Sequence, residues 1–249
     1  MKKKNKKVNA AILIIGNEIL SGRTQDKNTA FISKWLNNNC GISVNEVRII
    51  PDIENTIIKN IIDLSKKFNY VFTTGGIGPT HDDITSKSIA KAFKLSYGYH
   101  KEAYSLLEKY YSKSQFTFGR KKMAKLPHNA KLILNPSSGA PGFIVKNVYC
   151  LPGVPSILKS MLGGLNNKIK GGKKILNETI TLRTVESEIA KSLEKVQKKH
   201  KKVDIGSYPF FKQGKIGVSI VLRSEHKHLI FKCVKDIKNF IKKKNIKII

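Results

Sequence analysis

Residues 73–83 read TTGGIGPTHDD. An apolar run at 70–72 precedes them and a helical pattern at 84–93 follows, so the glycines fall at a strand-to-helix turn. Gly75, Gly76 and Gly78 lack a Cβ, which lets the backbone take positive φ, approach a ligand closely and aim N–H groups at it from the positive end of a helix. Such a turn suits a phosphate. Pro79 stiffens it, and Thr74 and Thr80 flank it. Asp82 and Asp83 would repel an anion unless a cation sits between them or one carboxylate handles a proton. A plainer reading makes Thr80 and Asp83 a capping box. That accounts for one aspartate, not for three glycines, a proline and two acids in one turn. The turn is not a dinucleotide fingerprint: GxGxxG read from Gly76 puts His81 at the third glycine, and no P-loop lysine follows.

Upstream, the continuous apolar run 10–15 predicts a strand buried on both faces, as in a parallel sheet. It ends in GNEILSG at 16–22, which puts Glu18 at a strand end, where open α/β sheets bind ligands. Residues 24–39 predict a helix with an Ala30, Phe31, Trp35, Leu36 stripe and with Asp26 and Asn28 in its first turn. A second strand at 44–50 closes on Pro51 and Asp52, and a helix follows at 54–67. Asp52 reads equally well as a turn residue or a functional one. The β-α-β-α-β-loop-α order predicts right-handed crossovers, with Glu18, Asp52 and 75–83 converging on one sheet edge.

Downstream, an aromatic helical segment carries Tyr104, Leu107, Tyr110 and Tyr111, and 116–125 follows it. Strands at 131–134 and 142–149 flank NPSSGAPG, residues 135–142, which contains Ser138 and Gly139. PGVP at 152–155, with Pro152 and Gly153, is either a second glycine turn closing the cleft or punctuation before a helix at 156–165. Glycines at 163, 164, 171 and 172 mark a boundary. Beyond it, a strand at 179–184, a helix at 185–199 capped by Thr184, strands at 203–210 and 216–223 and a helix at 227–243 make a βαββα module. The expected organisation is a basic tail at 1–7, a domain at 8–172 and a small α+β module at 173–249.

Composition narrows the function classes. Among 249 residues, 47 Lys and Arg against 17 Asp and Glu give a formal net charge of +30. Only Arg23, Arg48, Arg120, Arg183 and Arg223 are arginines, and arginine is the side chain that reads bases and phosphates bidentately. Lysine amid abundant Ile and Asn reads as solvated background, so nucleic acid is not the expected partner. No apolar run is long enough for a membrane span and no cleavage site follows the basic N-terminus, which leads to the expectation of a cytoplasmic protein with no membrane partner. Cys40, Cys150 and Cys233 have no CxxC spacing, so neither a disulfide framework nor a thiolate zinc site is expected. His226 and His228 lack a third ligand and read as surface residues.

GNEIL at 16–20, TQDKN at 24–28, Pro51-Asp52, TTGGIGPTHDD, NPSSGAPG and PGVP together resemble the MoaB/Mog molybdopterin-binding domain, in the CinA N-terminal-like branch, and are similar to the corresponding domain of eukaryotic FAD synthase. The likeness covers residues 8–165. SYPF at 207–210 and the βαββα tail resemble the KH-like module that follows this domain in CinA proteins. The resemblance implies a three-layer α/β/α fold with a mostly parallel sheet and a homo-oligomer, dimer or trimer. It also implies a cleft for a small nucleotide or pterin and, in this branch, a metal-dependent pyrophosphatase acting on ADP-ribose or FAD-like nucleotides. The alternative it implies is a non-catalytic molybdopterin or nucleotide binding protein linked to molybdenum cofactor metabolism. In two respects the sequence departs from the pattern. It carries neither the nicotinamide-nucleotide amidase domain of CinA proteins nor the FAD synthase domain, and Ser156-Ile157-Leu158 stands where many relatives have a Glu.

The expected site therefore places Asp82, Asp83, Asp52 and Glu18 in catalysis, with Asp82 and Asp83 on a divalent ion (Mg, or Mn or Co). Thr74, Gly75, Gly76, Gly78, Pro79, Thr80, Asn28, Ser138, Gly139, Pro152 and Gly153 would hold the ligand, molybdopterin among the candidates.

Overall fold

The structure is a computed structural model describing residues 8–165, 168–212 and 214–249. The expected basic tail at 1–7 lies outside the described residues. The chain divides into two compact units, Met1–Gly172 and Lys173–Ile249.

The first unit starts with β1 (Asn9–Ile15), whose residues alternate between two cores. Ala11, Leu13 and Ile15 enter one apolar cluster, and Ala10, Ile12 and Ile14 enter the other. A strand apolar at every position thus serves as the middle layer. After α1 (Asn17–Leu20) and α2 (Asn28–Trp35) come β2 (Ser43–Ile50), α3 (Glu54–Lys67), β3 (Tyr70–Thr74) and α4 (Thr85–Ala92). The chain continues through β4 (Tyr97–Tyr99), α5 (Lys101–Tyr110), α6 (Phe118–Lys122), β5 (Lys125–Pro127), β6 (Lys131–Ile133), β7 (Gly142–Val145), β8 (Val148–Leu151) and α7 (Pro155–Gly163).

The six-stranded sheet runs β2-β1-β3-β8-β7-β6. Its first four strands are parallel, and β7 and β6 are antiparallel. One face is covered by Ile57, Ile61 and Leu64 of α3, Ile89 of α4 and Leu107 of α5. The other is covered by Ile32 and Trp35 of α2 and by Leu158, Met161 and Leu162 of α7. Each such fully buried side chain contributes about 1.5–3 kcal/mol relative to exposure. The result is a three-layer α/β/α domain with a mostly parallel sheet. Register then sets up the site. Ile15 pairs with Ile50, Ile14 with Thr74, and Thr74 with Leu151. Four strands finish level, and the segments starting at Gly16, Pro51, Gly75 and Pro152 emerge side by side.

Several local expectations are corrected. The helix expected at 24–39 starts at Asn28, because Asp26 Oδ1 accepts the N–H groups of Asn28 at 2.8 Å and Thr29 at 3.2 Å and ends the preceding loop. It finishes in a π-helical turn, Leu36–Cys40, closed by Gly41 at φ 63°. The single strand expected at 142–149 is the hairpin β7-β8, turning at Lys146, whose φ is 53°. The β4-β5 ribbon was not legible in the pattern.

The second unit comprises β9 (Leu176–Arg183), α8 (Glu186–Lys199), β10 (Asp204–Lys212), β11 (Lys215–Ser224), α9 (Lys227–Lys243) and β12 (Lys247–Ile248). Its sheet order is β10-β11-β9-β12, so a short sixth element extends the expected βαββα. Thr184 does not cap α8 through the backbone: its hydroxyl donates to Glu188 Oε2, and Val185 takes the cap position.

Candidate functional site

A cleft of about 570 Å³ opens at the level strand ends. Its wall includes Gly16 and Glu18 after β1, Asp52 after β2, residues 75–79 with Asp82 and Asp83 after β3, and Pro152 and Gly153 after β8. Ser138 joins from the 135–142 loop. All four expected catalytic acids therefore share one cavity.

The glycine turn is shaped by contacts as well as by φ. Gly75 sits at φ +99°, and a Cβ there would lie 2.0 Å from the Ile15 carbonyl oxygen. Gly76 sits at φ +66°, and its Cβ would lie 2.2 Å from Thr85 Oγ1. No side chain fits at either position. The Gly75 N–H donates to the Leu151 carbonyl at 3.2 Å, tying the turn to β8. The N–H groups of Gly76, Ile77 and Gly78 have no acceptor among the described residues. Three unclaimed donors therefore sit in the wall of the cleft, the arrangement an anionic ligand satisfies.

The acids are not equivalent. Asp83 Oδ2 accepts the Thr80 N–H at 2.8 Å and the Thr80 hydroxyl. Ile84, not Thr80, is the cap residue of α4, so this pair closes the loop rather than capping the helix. Asp82 is exposed, and its carboxyl is held below the usual carboxylate range by the nearness of the Thr80 hydroxyl, whose proton the geometry gives to Asp83, and by its own backbone N–H. Asp52 behaves oppositely: burial raises its pKa, the Asn17 N–H donating to Oδ2 at 2.9 Å opposes the rise, and the charges of Glu18, Asp82 and Asp83 add to it. Acids with environments that diverge in this way can divide the work of proton transfer and charge binding.

Other expected ligand residues stand behind the wall. Thr74 is buried in β3 and Asn28 in α2, and neither they nor Thr80 and Gly139 line the cleft. Asn28 instead donates from Nδ2 to the Gly153 carbonyl at 2.8 Å, while its Oδ1 is buried without a partner. Thr80 holds Asp83 and accepts Lys122 Nζ at its carbonyl. Gly139, at φ +74°, leaves room for the Tyr110 ring. Sequence reasoning did not single out Asn135, which lines the cleft. Its Oδ1 accepts the Ser137 and Ser138 N–H groups at 2.9 and 3.1 Å, and its Nδ2 donates to the Ala140 carbonyl at 2.8 Å. Asn followed by Pro-Ser-Ser-Gly was the available signal, since Asn side chains build such turns. Thr24 and Ile157 also line the cleft, each from a stretch the sequence reading quoted without assigning that residue to the site.

As a metal site the cleft is open. Among the described residues no group of three or more His, Cys, Asp and Glu side chains forms a cage. The charged donors available are carboxylate oxygens, which suits a hard ion. Mg²⁺ in particular is commonly held by one or two carboxylates with the remaining positions filled by phosphate oxygens and water. Asp82, which is exposed, fits that role better than Asp83, which is committed to Thr80.

No helix among the described residues is long and apolar enough to cross a membrane. Cys40 is half-buried, and Cys150 and Cys233 are buried.

Residues 11–170 match the family described as "Probable molybdopterin binding domain", and residues 174–248 match "FAD synthase, middle domain". A protein from Archaeoglobus fulgidus is 33% identical over 94% of this chain and 98% of its own length. A "Putative competence-damage inducible protein" from Clostridium botulinum is 34% identical over 88% of this chain. The match spans 56% of that relative's length. The solved structure of a protein named CinA, "with unknown function", from Thermoplasma acidophilum superposes with a TM-score of 0.61 at 32% identity, covering 65% of this chain and 98% of that one.

Proposed function

The chain belongs to the molybdopterin-binding-domain family, in its CinA-like branch, and from that membership we propose that its cleft hydrolyses the phosphoanhydride of a nucleotide diphosphate such as ADP-ribose or FAD. The observation that carries the reading is Asp52. It is a carboxyl with a raised pKa, placed in one cleft with the unclaimed N–H groups of Gly76, Ile77 and Gly78 and with three further acids.

The glycine N–H groups hold the non-bridging oxygens of the diphosphate. A carboxylate of raised pKa is the better base, so Asp52 takes the proton from the attacking water. The new P–O bond forms as the bridging P–O bond breaks, and the products are two phosphomonoesters. Asp82, exposed at the cleft, provides carboxylate oxygens that would hold a divalent ion, the remaining positions going to phosphate oxygens and water. Such an ion supplies charge neutralisation on the diphosphate and a more acidic water. Asp83 acts through the loop, keeping Thr80 and the turn in place.

The test is hydrolysis of ADP-ribose and FAD by the purified chain with Mg²⁺, Mn²⁺ or Co²⁺, and its loss in EDTA and in Asp52→Asn. Full activity of Asp52→Asn in EDTA would sink the proposal.

The open donor set also favours a second reading, in which the cleft binds molybdopterin or a nucleotide without turnover. Tight binding by calorimetry, with no turnover across a dinucleotide panel, would select it.

A further inference from the structure

The sheet of the second unit has one face packed and one face bare. Ile180, Leu182, Val218, Ile220 and Leu222 point into the cluster built with Ile189, Leu193, Ile230 and Ile237 of α8 and α9. By the alternation of a strand, the residues between them point the other way. Register sets Tyr208 opposite Ser219, Phe210 opposite Gly217, and Arg183 opposite Lys247 on that second face. None of these joins an apolar cluster among the described residues.

The two aromatic rings lie along the sheet. A Cβ on Gly206 would meet the Tyr208 ring at 2.9 Å, and one on Gly217 would meet the Phe210 ring at 2.4 Å. Each glycine thus makes room for a ring. Tyr208 is 46% exposed, and its hydroxyl oxygen accepts from Arg223 Nη2 at 3.1 Å, while Arg223 Nη1 lies 3.6 Å from Asp204 Oδ2. Arg183 and Arg223 are the only arginines in residues 173–249, and both stand on this face. The unit as a whole carries 20 Lys and Arg against 7 Asp and Glu. That balance repels a second copy of the same face and attracts a polyanion.

We propose that this bare sheet face binds single-stranded nucleic acid, with bases stacking on Tyr208 and Phe210 and the phosphodiester backbone held by Arg183, Arg223 and Lys247. Aromatic rings on an open four-stranded sheet flanked by cations are the working parts of such platforms. The one GXXG string of this unit, Gly214-Lys215-Ile216-Gly217, runs into β11, where residues 215–217 pair with β10, so it is built into the sheet rather than offered as a backbone-clamping loop, and base stacking on the open face is a separate mode of recognition.

Fluorescence anisotropy on the full chain tests it, using labelled oligo-dT and oligo-U of about 12 nucleotides and a duplex of equal length. Tyr208→Ala should weaken single-strand binding by about 5- to 100-fold, and Tyr208→Phe, which keeps the ring, should bind nearly as wild type. Arg183→Ala, at an exposed strand end, should weaken binding and flatten its salt dependence. Phe231→Ala, an aromatic that is 72% exposed on α9, should change nothing. Three results would overturn the assignment: no single-strand binding at low salt, equal affinity for duplex and single strand unaffected by Tyr208→Ala, or a dimer that Tyr208→Ala dissolves.

Discussion

Asn28 Nδ2 reaches the carbonyl of Gly153, 125 residues away in sequence, at 2.8 Å. This bond ties the start of α2 to the turn after β8, and a Cβ on Gly153 would lie 3.5 Å from the Gly75 Cα. Both glycine turns are therefore positioned against each other from behind the cleft.

Asn28→Ala should lower stability by about 1–3 kcal/mol, because the Gly153 carbonyl loses its buried donor. Asn28→Asp should be worse than Asn28→Ala, since a carboxylate faces a carbonyl oxygen. Urea unfolding would measure both, and equal stability of wild type and Asn28→Ala would show that water replaces the amide.

Gly76→Ala should cost about 1–3 kcal/mol from positive φ, and more if Thr85 cannot move aside. Gly98→Ala is the control, because a Cβ there meets nothing within 4 Å. The same unfolding measurement should leave Gly98→Ala near wild type.

Asp52 should give the pH–rate profile an acidic limb above the ordinary aspartate range, and Asp52→Asn should remove it. The stability effect has a definite sign. For an acid whose folded pKa is raised, the cost of burying charge is present above the folded pKa and disappears as pH falls below the unfolded one. Asp52→Asn should therefore raise the melting temperature at pH 7 and above, with the gain fading toward acid pH. A stabilisation that grows toward acid pH would contradict this environment for Asp52.

Asp83→Ala and Asp82→Ala should separate. Losing Asp83 frees the Thr80 N–H and hydroxyl, so the loop should loosen and ligand affinity should fall along with turnover. Losing exposed Asp82 should reduce turnover and the response to divalent ions while leaving thermal stability unchanged. Calorimetric unfolding beside a metal titration distinguishes the two.

Thiol titration should modify Cys40 first, since it is only half-buried. Burial pushes the Cys150 thiol well above its ordinary value and Cys233 up to about 11, so both should react only in denaturant. Reaction of more than one thiol in the native chain would contradict that packing.

The sequence by itself determined the layer architecture of the first unit and which strand ends bring acidic side chains together. An all-apolar run such as 10–15 has no solvent face to offer, so it must be a central strand, and the strand-helix order then fixes which loops meet. Glu18, Asp52, Asp82 and Asp83 were legible for that reason. The partners and burial of each one were decided by tertiary structure. The Thr80–Asp83 spacing is identical for a helix cap and a loop latch, and only the helix starting at Thr85 rather than Thr80 distinguishes them. The contact of Asn28 with Gly153 lies in a distant segment, and no local pattern encodes it. The 142–149 run hid its hairpin because Lys146 takes positive φ without the glycine that usually announces it. Local periodicity records which side of an element is apolar; pairing across the chain records which polar atoms are already satisfied, and that second account separates Asp52 from Asp83.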